Sequence, residues 1–201
     1  MLHDRSSLVG ISAVLVPGDD LYSAVLDLVA VLEGLVADRF EILLVGDQHA
    51  PDVAEVSARS RGLPLRVIQG TTLADGCDAA RYDLIFVGAP DGQFDVRELN
   101  HLLEGIEQGA DVAAGYRPRR TDVVLRQLQR LGWNVDLDCA YELMHRAVWQ
   151  RLKREGRRTS CCAELLASAR RLGFHVVEVP VSHRRPTIGA PVTNSSGWRA
   201  A

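Results

Sequence analysis

The chain has 201 residues, of which 47% are apolar, 24% charged and 5% aromatic, with a formal net charge of −3. That balance excludes a disordered, collagen-like or disulfide-stapled protein, and a chain of this length buries on the order of 70% of its unfolded surface, so its core needs no metal. Residues 1–100 carry 7 arginines against 16 acids, a net −9, whereas the remainder carries 16 basic residues against 10 acids, a net +6. A duplex-DNA binder is more often basic overall, so no nucleic acid partner is expected. An acidic half beside a basic half suits a cation and phosphate held between them, although solvated surface charge explains the same count.

The four cysteines, Cys77, Cys139, Cys161 and Cys162, show no Cys-x-x-Cys spacing and no metal-finger histidine. Reduced thiols follow as the default. Residues 1–7 lack the apolar core of a signal peptide, and no run reaches the roughly 18–20 apolar residues of a membrane span. The expectation is a cytoplasmic protein with no transmembrane segment, touching lipid phosphate only peripherally.

Residues 8–16 (LVGISAVLV) form an apolar, β-branched run ended by Pro17-Gly18, the pattern of a strand buried on both faces. Asp19 and Asp20 stand at an N-cap position, and Leu21, Val25, Leu28, Val29, Leu32 and Val36 recur at helical spacing. A second strand is predicted over 40–45, a proline-opened helix over 51–61, a third strand over 65–68 and a short helix over 73–80. A strand over 82–87, a helix over 96–108 and a strand over 111–114 complete the first part. Beyond Gly115 the sequence predicts a basic loop over 116–120, helices over 122–131, 147–154 and 163–172, strands over 137–144 and 174–179, and a tail from Val181. The alternation predicts an α/β layered fold whose central sheet is mainly parallel and flanked by helices.

Ligands of open α/β sheets bind outside the carboxyl ends of the strands. Those positions hold Asp19 and Asp20, then Asp47, then Asp91-Gly92-Gln93, then Gly115-Tyr116-Arg117. No Gly-x-Gly-x-x-Gly follows the first strand and no Gly-Lys-Ser/Thr loop occurs, which speaks against dinucleotide redox chemistry and P-loop phosphoryl transfer. Nucleotide phosphates would instead need carboxylates on a hard cation and arginines on the free oxygens. Each residue has a plainer reading. Asp91 fits a Pro-Asp-Gly turn, Asp47 a loop or cap, Asp19 a helix cap, and the arginines a solvated loop.

The run from Asp83 to Asp95 (DLIFVGAPDGQFD), followed by Gly109 to Arg117 (GADVAAGYR), resembles the core of family 2 glycosyltransferases of the dolichol-phosphate mannosyltransferase type. The blocks Asp138 to Arg146 (DCAYELMHR), Ala163-Glu164-Leu165-Leu166 and Gly173 to Gly189 follow in the same order. This resemblance implies a GT-A fold, a nucleotide-sugar donor and a divalent cation, Mg²⁺ or Mn²⁺. It implies that Asp47 contacts the nucleobase, that Asp91 and Gln93 hold the metal, and that Arg117, with Arg184 or Arg185, reaches phosphate. Asp19 falls in the donor-side loop after the first strand. Asp138 is the candidate general base, because transfer to a hydroxyl acceptor needs a carboxylate to take its proton, whereas a phosphate acceptor needs none.

Ala89-Pro90-Asp91 stands where the family has Asp-x-Asp, so one metal carboxylate is missing. A hydrated Mg²⁺ held by one or two carboxylates plus substrate phosphate still fits Asp91 and Gln93, with weaker binding. The expectation is a single domain over 1–201, with a nucleotide-binding half (1–115), an acceptor-side half (116–190) and a flexible tail (191–201). Its expected activity is sugar transfer from a nucleotide sugar to a small-molecule or polyprenyl-phosphate acceptor. The alternatives are a GT-A-like protein turned to metal-independent chemistry on another small molecule, or an inert binding protein.

Overall fold

The computed structural model describes residues 9–18, 21–88, 94–117, 141–156 and 162–182. The apolar runs of the sequence become one seven-stranded sheet: β1 (Ile11–Leu15), β2 (Phe40–Val45), β3 (Leu65–Ile68), β4 (Leu84–Gly88), β5 (Val112–Tyr116), β6 (Tyr141–His145) and β7 (Val176–Pro180), in the order β3-β2-β1-β4-β6-β5-β7. Every residue of β1, β2 and β4 is buried, as continuous apolar strands covered on both faces require. β1 lies parallel between β2 and β4, with Ile11 opposite Phe40 and Leu84. β6 runs antiparallel to both β4 and β5, and β7 pairs parallel with β5. The sheet is therefore mainly parallel, with one reversed strand that the sequence did not orient.

Helices α1 (Leu21–Val36), α2 (Pro51–Arg59) and α4 (Leu99–Glu107) pack on one face, and α3 (Leu73–Ala79), α5 (Arg146–Arg154) and α6 (Cys162–Arg171) on the other. The apolar stripe of α1 is the predicted one, Leu21, Val25, Leu28, Val29, Leu32 and Val36. Gly76 lets α3 lie close on the sheet, since a Cβ there would stand 2.3 Å from a Val14 methyl and 2.7 Å from a Val45 methyl. The helix predicted over 96–108 opens instead with a 3₁₀ turn, Val96–Glu98, whose first amides are organised by the Asp95 carboxylate accepting from the Arg97 N–H at 3.1 Å. Val181 is not tail: it is 2% exposed, in the α1 side of the core, and its N–H donates to the Tyr116 carbonyl at 2.9 Å. The helix predicted over 122–131 and the first residues of the strand predicted over 137–144 lie outside the described residues.

At the amino ends of the parallel strands a buried polar cluster closes the sheet. Glu41, 5% exposed, accepts from the Ser12 hydroxyl at 2.8 Å, from the Arg81 N–H at 2.9 Å and from Arg66 Nε at 3.0 Å, with Arg66 Nη2 at 2.8 Å. Ser12 Oγ also accepts the Arg81 and Tyr82 amides at 3.1 Å, and Arg66 Nη2 donates to the Ala79 carbonyl at 2.9 Å. A buried carboxylate is tolerated when its lone pairs and charge are met in this way.

Candidate functional site

The carboxyl ends of β1, β2, β4 and β5 share the opposite edge of the sheet. At the end of β2 the exposed Asp47 folds back on its own loop, its Oδ1 accepting the His49 N–H at 2.9 Å. Gln69, directly after β3, approaches the same oxygen at 3.5 Å, while its own Oε1 accepts the Gln48 N–H at 3.4 Å. The His49 amide, ahead of the Gln69 contact, holds the Asp47 carboxyl below the ordinary carboxylate range. Asp47 is thus an ionised acceptor with a fixed oxygen and a second one not used by these bonds. Gln69 was not singled out from sequence, although the rule that drew attention to Asp47, inspection of the residue after each strand, applies to it equally.

Beside this loop, the start of α3 is occupied by its own acid. The Asp75 carboxylate accepts the Thr71 and Thr72 amides at 3.1 Å and the Thr72 hydroxyl at 2.9 Å, a capping box. Gly70 makes room for it, because a Cβ there would stand 2.6 Å from an Asp75 oxygen.

β4 ends at Gly88, opposite Leu15 of β1 and Tyr141 of β6. The chain after residue 93 is pinned to β6 by Tyr141, whose hydroxyl lies 3.2 Å from the Asp95 and Val96 carbonyls, with Phe94 stacked on its ring at 5.4 Å and Phe86 edge-on at 5.1 Å. One residue further in, Glu142 is fully buried between Val87 and Ala114. Burial first, and the Glu142 and Asp78 charges after it, push the Cys77 thiol far above its ordinary value, so Cys77 is a packing residue and not a nucleophile. At the end of β5, Arg117 is half-buried and engaged with a partner of its own.

Of the residues singled out from sequence, Asp47 and Arg117 therefore stand at the ends of β2 and β5 on one edge. Asp19, Asp91, Gln93, Asp138, Arg184 and Arg185 lie outside the described residues, as does Ala89. Among the described residues no three His, Cys, Asp or Glu side chains gather to hold a metal. No described helix is long and apolar enough to cross a membrane.

No protein family and no curated protein matches the chain by sequence. Solved structures do match by shape. A mycobacterial protein superposes with a TM-score of 0.61 at 18% identity, over 92% of this chain and 70% of that one. Glucosyl-3-phosphoglycerate synthase from Mycobacterium tuberculosis, in complex with Mn²⁺ and UDP-glucose, gives 0.61 at 15% identity, over 92% of this chain and 74% of that one. The chain has a GT-A-like fold. At these identities the likeness is one of fold, and in GT-A terms the edge carrying Asp47 and Arg117 is the carboxyl edge of the central sheet. The synthase has also been solved with Mg²⁺ and UDP, and with Mn²⁺, UDP-glucose and phosphoglyceric acid.

Proposed function

We propose that the chain is a GT-A glycosyltransferase that moves a sugar from a nucleoside-diphosphate donor to a small-molecule or polyprenyl-phosphate acceptor, and that it is of the dolichol-phosphate mannosyltransferase type. The observation that carries the reading is a GT-A-like sheet whose carboxyl edge presents the ionised Asp47 at the end of β2 and Arg117 at the end of β5. In this reading 1–115 form the donor half and 116–190 the acceptor side, and the protein works in the reducing cytoplasm. The UDP, UDP-glucose and phosphoglyceric acid of the M. tuberculosis synthase make uridine nucleotides and small phosphorylated acids the first compounds to try.

Asp47 would accept an N–H of the base, and Asp19 would line the donor loop. Arg117, Arg184 and Arg185 would hold phosphate oxygens, stabilising the diphosphate as negative charge develops on it when the bond to the anomeric carbon breaks. Asp138 would take the proton of a hydroxyl acceptor as its oxygen bonds that carbon. Asp91 and Gln93 offer hard oxygen donors, which suit Mg²⁺ or Mn²⁺ with phosphate and water completing the shell. Such a cation would neutralise the leaving diphosphate, and with Ala89 in place of a second carboxylate its affinity in the absence of nucleotide is expected to be low.

Calorimetric titration with UDP, GDP and their sugar conjugates, with and without Mn²⁺, tests the reading. Saturable binding of a diphosphate, tightened by Mn²⁺, is the expected result. Absence of binding for both nucleotides in both conditions would overturn it.

A further inference from the structure

β2 and β3 end side by side, Val45 opposite Ile68, and the Gly46 amide carries the pairing one step further by donating to the Ile68 carbonyl at 3.0 Å. Beyond that junction Gln69 meets the β2 loop at two consecutive residues. Its Oε1 accepts the Gln48 N–H at 3.4 Å, and its Nε2 donates to Asp47 Oδ1 at 3.5 Å. The partners fix which end of the carboxamide faces which, since a backbone N–H only donates and an ionised carboxylate only accepts. Asp47 Oδ1 thus receives N–H groups from two directions, from His49 of its own loop at 2.9 Å and from Gln69 of the neighbouring one. Among the described residues none donates to Oδ2. Asp47 and Gln69 are both exposed.

An aspartate on a surface loop turns about two side-chain bonds, and a ligand that needs its oxygen in one place loses affinity to the ordering of that rotation. The His49 bond ties the carboxylate only to its own loop. The Gln69 contact ties it to a different strand, so that the carboxylate is placed relative to the sheet as well as to the turn that carries it. Both Gln69 contacts are long and therefore weak, and a pair of weak contacts on an exposed loop adds little to stability. What it supplies is placement, and a binding group works best when its neighbours hold its rotamer before the ligand arrives. We infer that Gln69 is a positioning residue for the donor base: by tethering Asp47 Oδ1 to the end of β3, it keeps Oδ2 in a fixed place to accept an N–H of the base. The inference rests on the proposed donor reading and deepens it.

Affinity for UDP and GDP is measured by NMR titration in Mg²⁺ on the full chain, Gln69→Ala, Gln69→Glu, Asp47→Ala and the double variant Asp47→Ala/Gln69→Ala. Gln69→Ala is expected to weaken whichever nucleotide the full chain binds by about fivefold. Gln69→Glu keeps an oxygen for the Gln48 amide but sets a second negative charge beside Asp47, and should lose about tenfold. Because Gln69 acts through Asp47, the single losses do not add, and the double variant should bind within about twofold of Asp47→Ala. A carboxyl ¹³C titration of the unliganded protein gives an independent readout: the Asp47 midpoint should rise in Gln69→Ala, since the Nε2 donor that helps to lower it is gone. The fold is followed by urea unfolding, with a midpoint near the parent's, and by exchange protection of the Gly46 amide, which should persist. Full affinity in Gln69→Ala, losses that add in the double variant, an unmoved Asp47 midpoint, or loss of the Gly46 protection each overturns the inference. A full chain that binds neither nucleotide overturns the donor reading itself, a result distinct from a full chain that binds and Gln69 variants that bind equally well.

Discussion

The two edges of the sheet are built to opposite rules. At the amino edge Glu41, Ser12 and Arg66 form a closed set joined by contacts of 2.8–3.0 Å, and the carboxylate is 5% exposed. At the carboxyl edge Asp47, Gln48, His49 and Gln69 are exposed, and the contacts linking β2's loop to Gln69 are 3.4–3.5 Å. One edge satisfies its polar groups internally and serves stability. The other leaves hydrogen-bonding capacity facing solvent, which is what a ligand requires.

The largest effect should come from breaking the closed edge. Glu41→Ala removes the charge that faces Arg66 and one of the two acceptors of the Arg81 amide, and is expected to cost about 3–5 kcal/mol in urea unfolding, while the folded fraction binds nucleotide as the parent does. Gly76→Ala, in the layer between the edges, forces a Cβ against Val14 and Val45 and should cost about 1–3 kcal/mol in the same assay. Opening the comparison from the other side, Asp47→Asn should leave the urea midpoint close to the parent's yet weaken UDP about tenfold by calorimetry, as expected for losing a charged acceptor. Equal binding by the Asn variant would remove Asp47 from the site.

The smallest effect is one of pH. The Asp47 carboxyl is depressed in the folded chain by the His49 amide, so its contribution to stability is present above the unfolded aspartate value near about 4 and is lost as pH falls through the lower folded value. Nucleotide binding should thus show no Asp47-linked decline between pH 7 and about 5, and a carboxyl ¹³C titration should place Asp47 below the other exposed aspartates. A titration midpoint at or above theirs would contradict the loop geometry.

The strands were legible because LVGISAVLV and its counterparts admit no amphipathic helix, and the stripe on α1 because it repeats at helical spacing. The reversal of β6 was not, since the five residues YELMH carry no signal of strand direction. Nor was the amino-edge network: Glu41 reads as one acid in a strand until Ser12, 29 positions away, is placed beside it. Asp47 was found by its position after β2, and Gln69 would have been found by the same rule. The hydrogen bonds of the Ser182 amide and hydroxyl to the Glu98 carboxylate have no local signature either, since they join residues 84 positions apart.

Hydrogen exchange on the full chain with and without UDP and Mn²⁺ tests most directly whether the carboxyl edge is the binding edge. Added protection is expected at residues 46–50, 69–73 and 117, with residues 10, 39, 63 and 81–83 of the amino edge unchanged. Protection confined to the amino edge, or none anywhere at saturating nucleotide, would contradict the account.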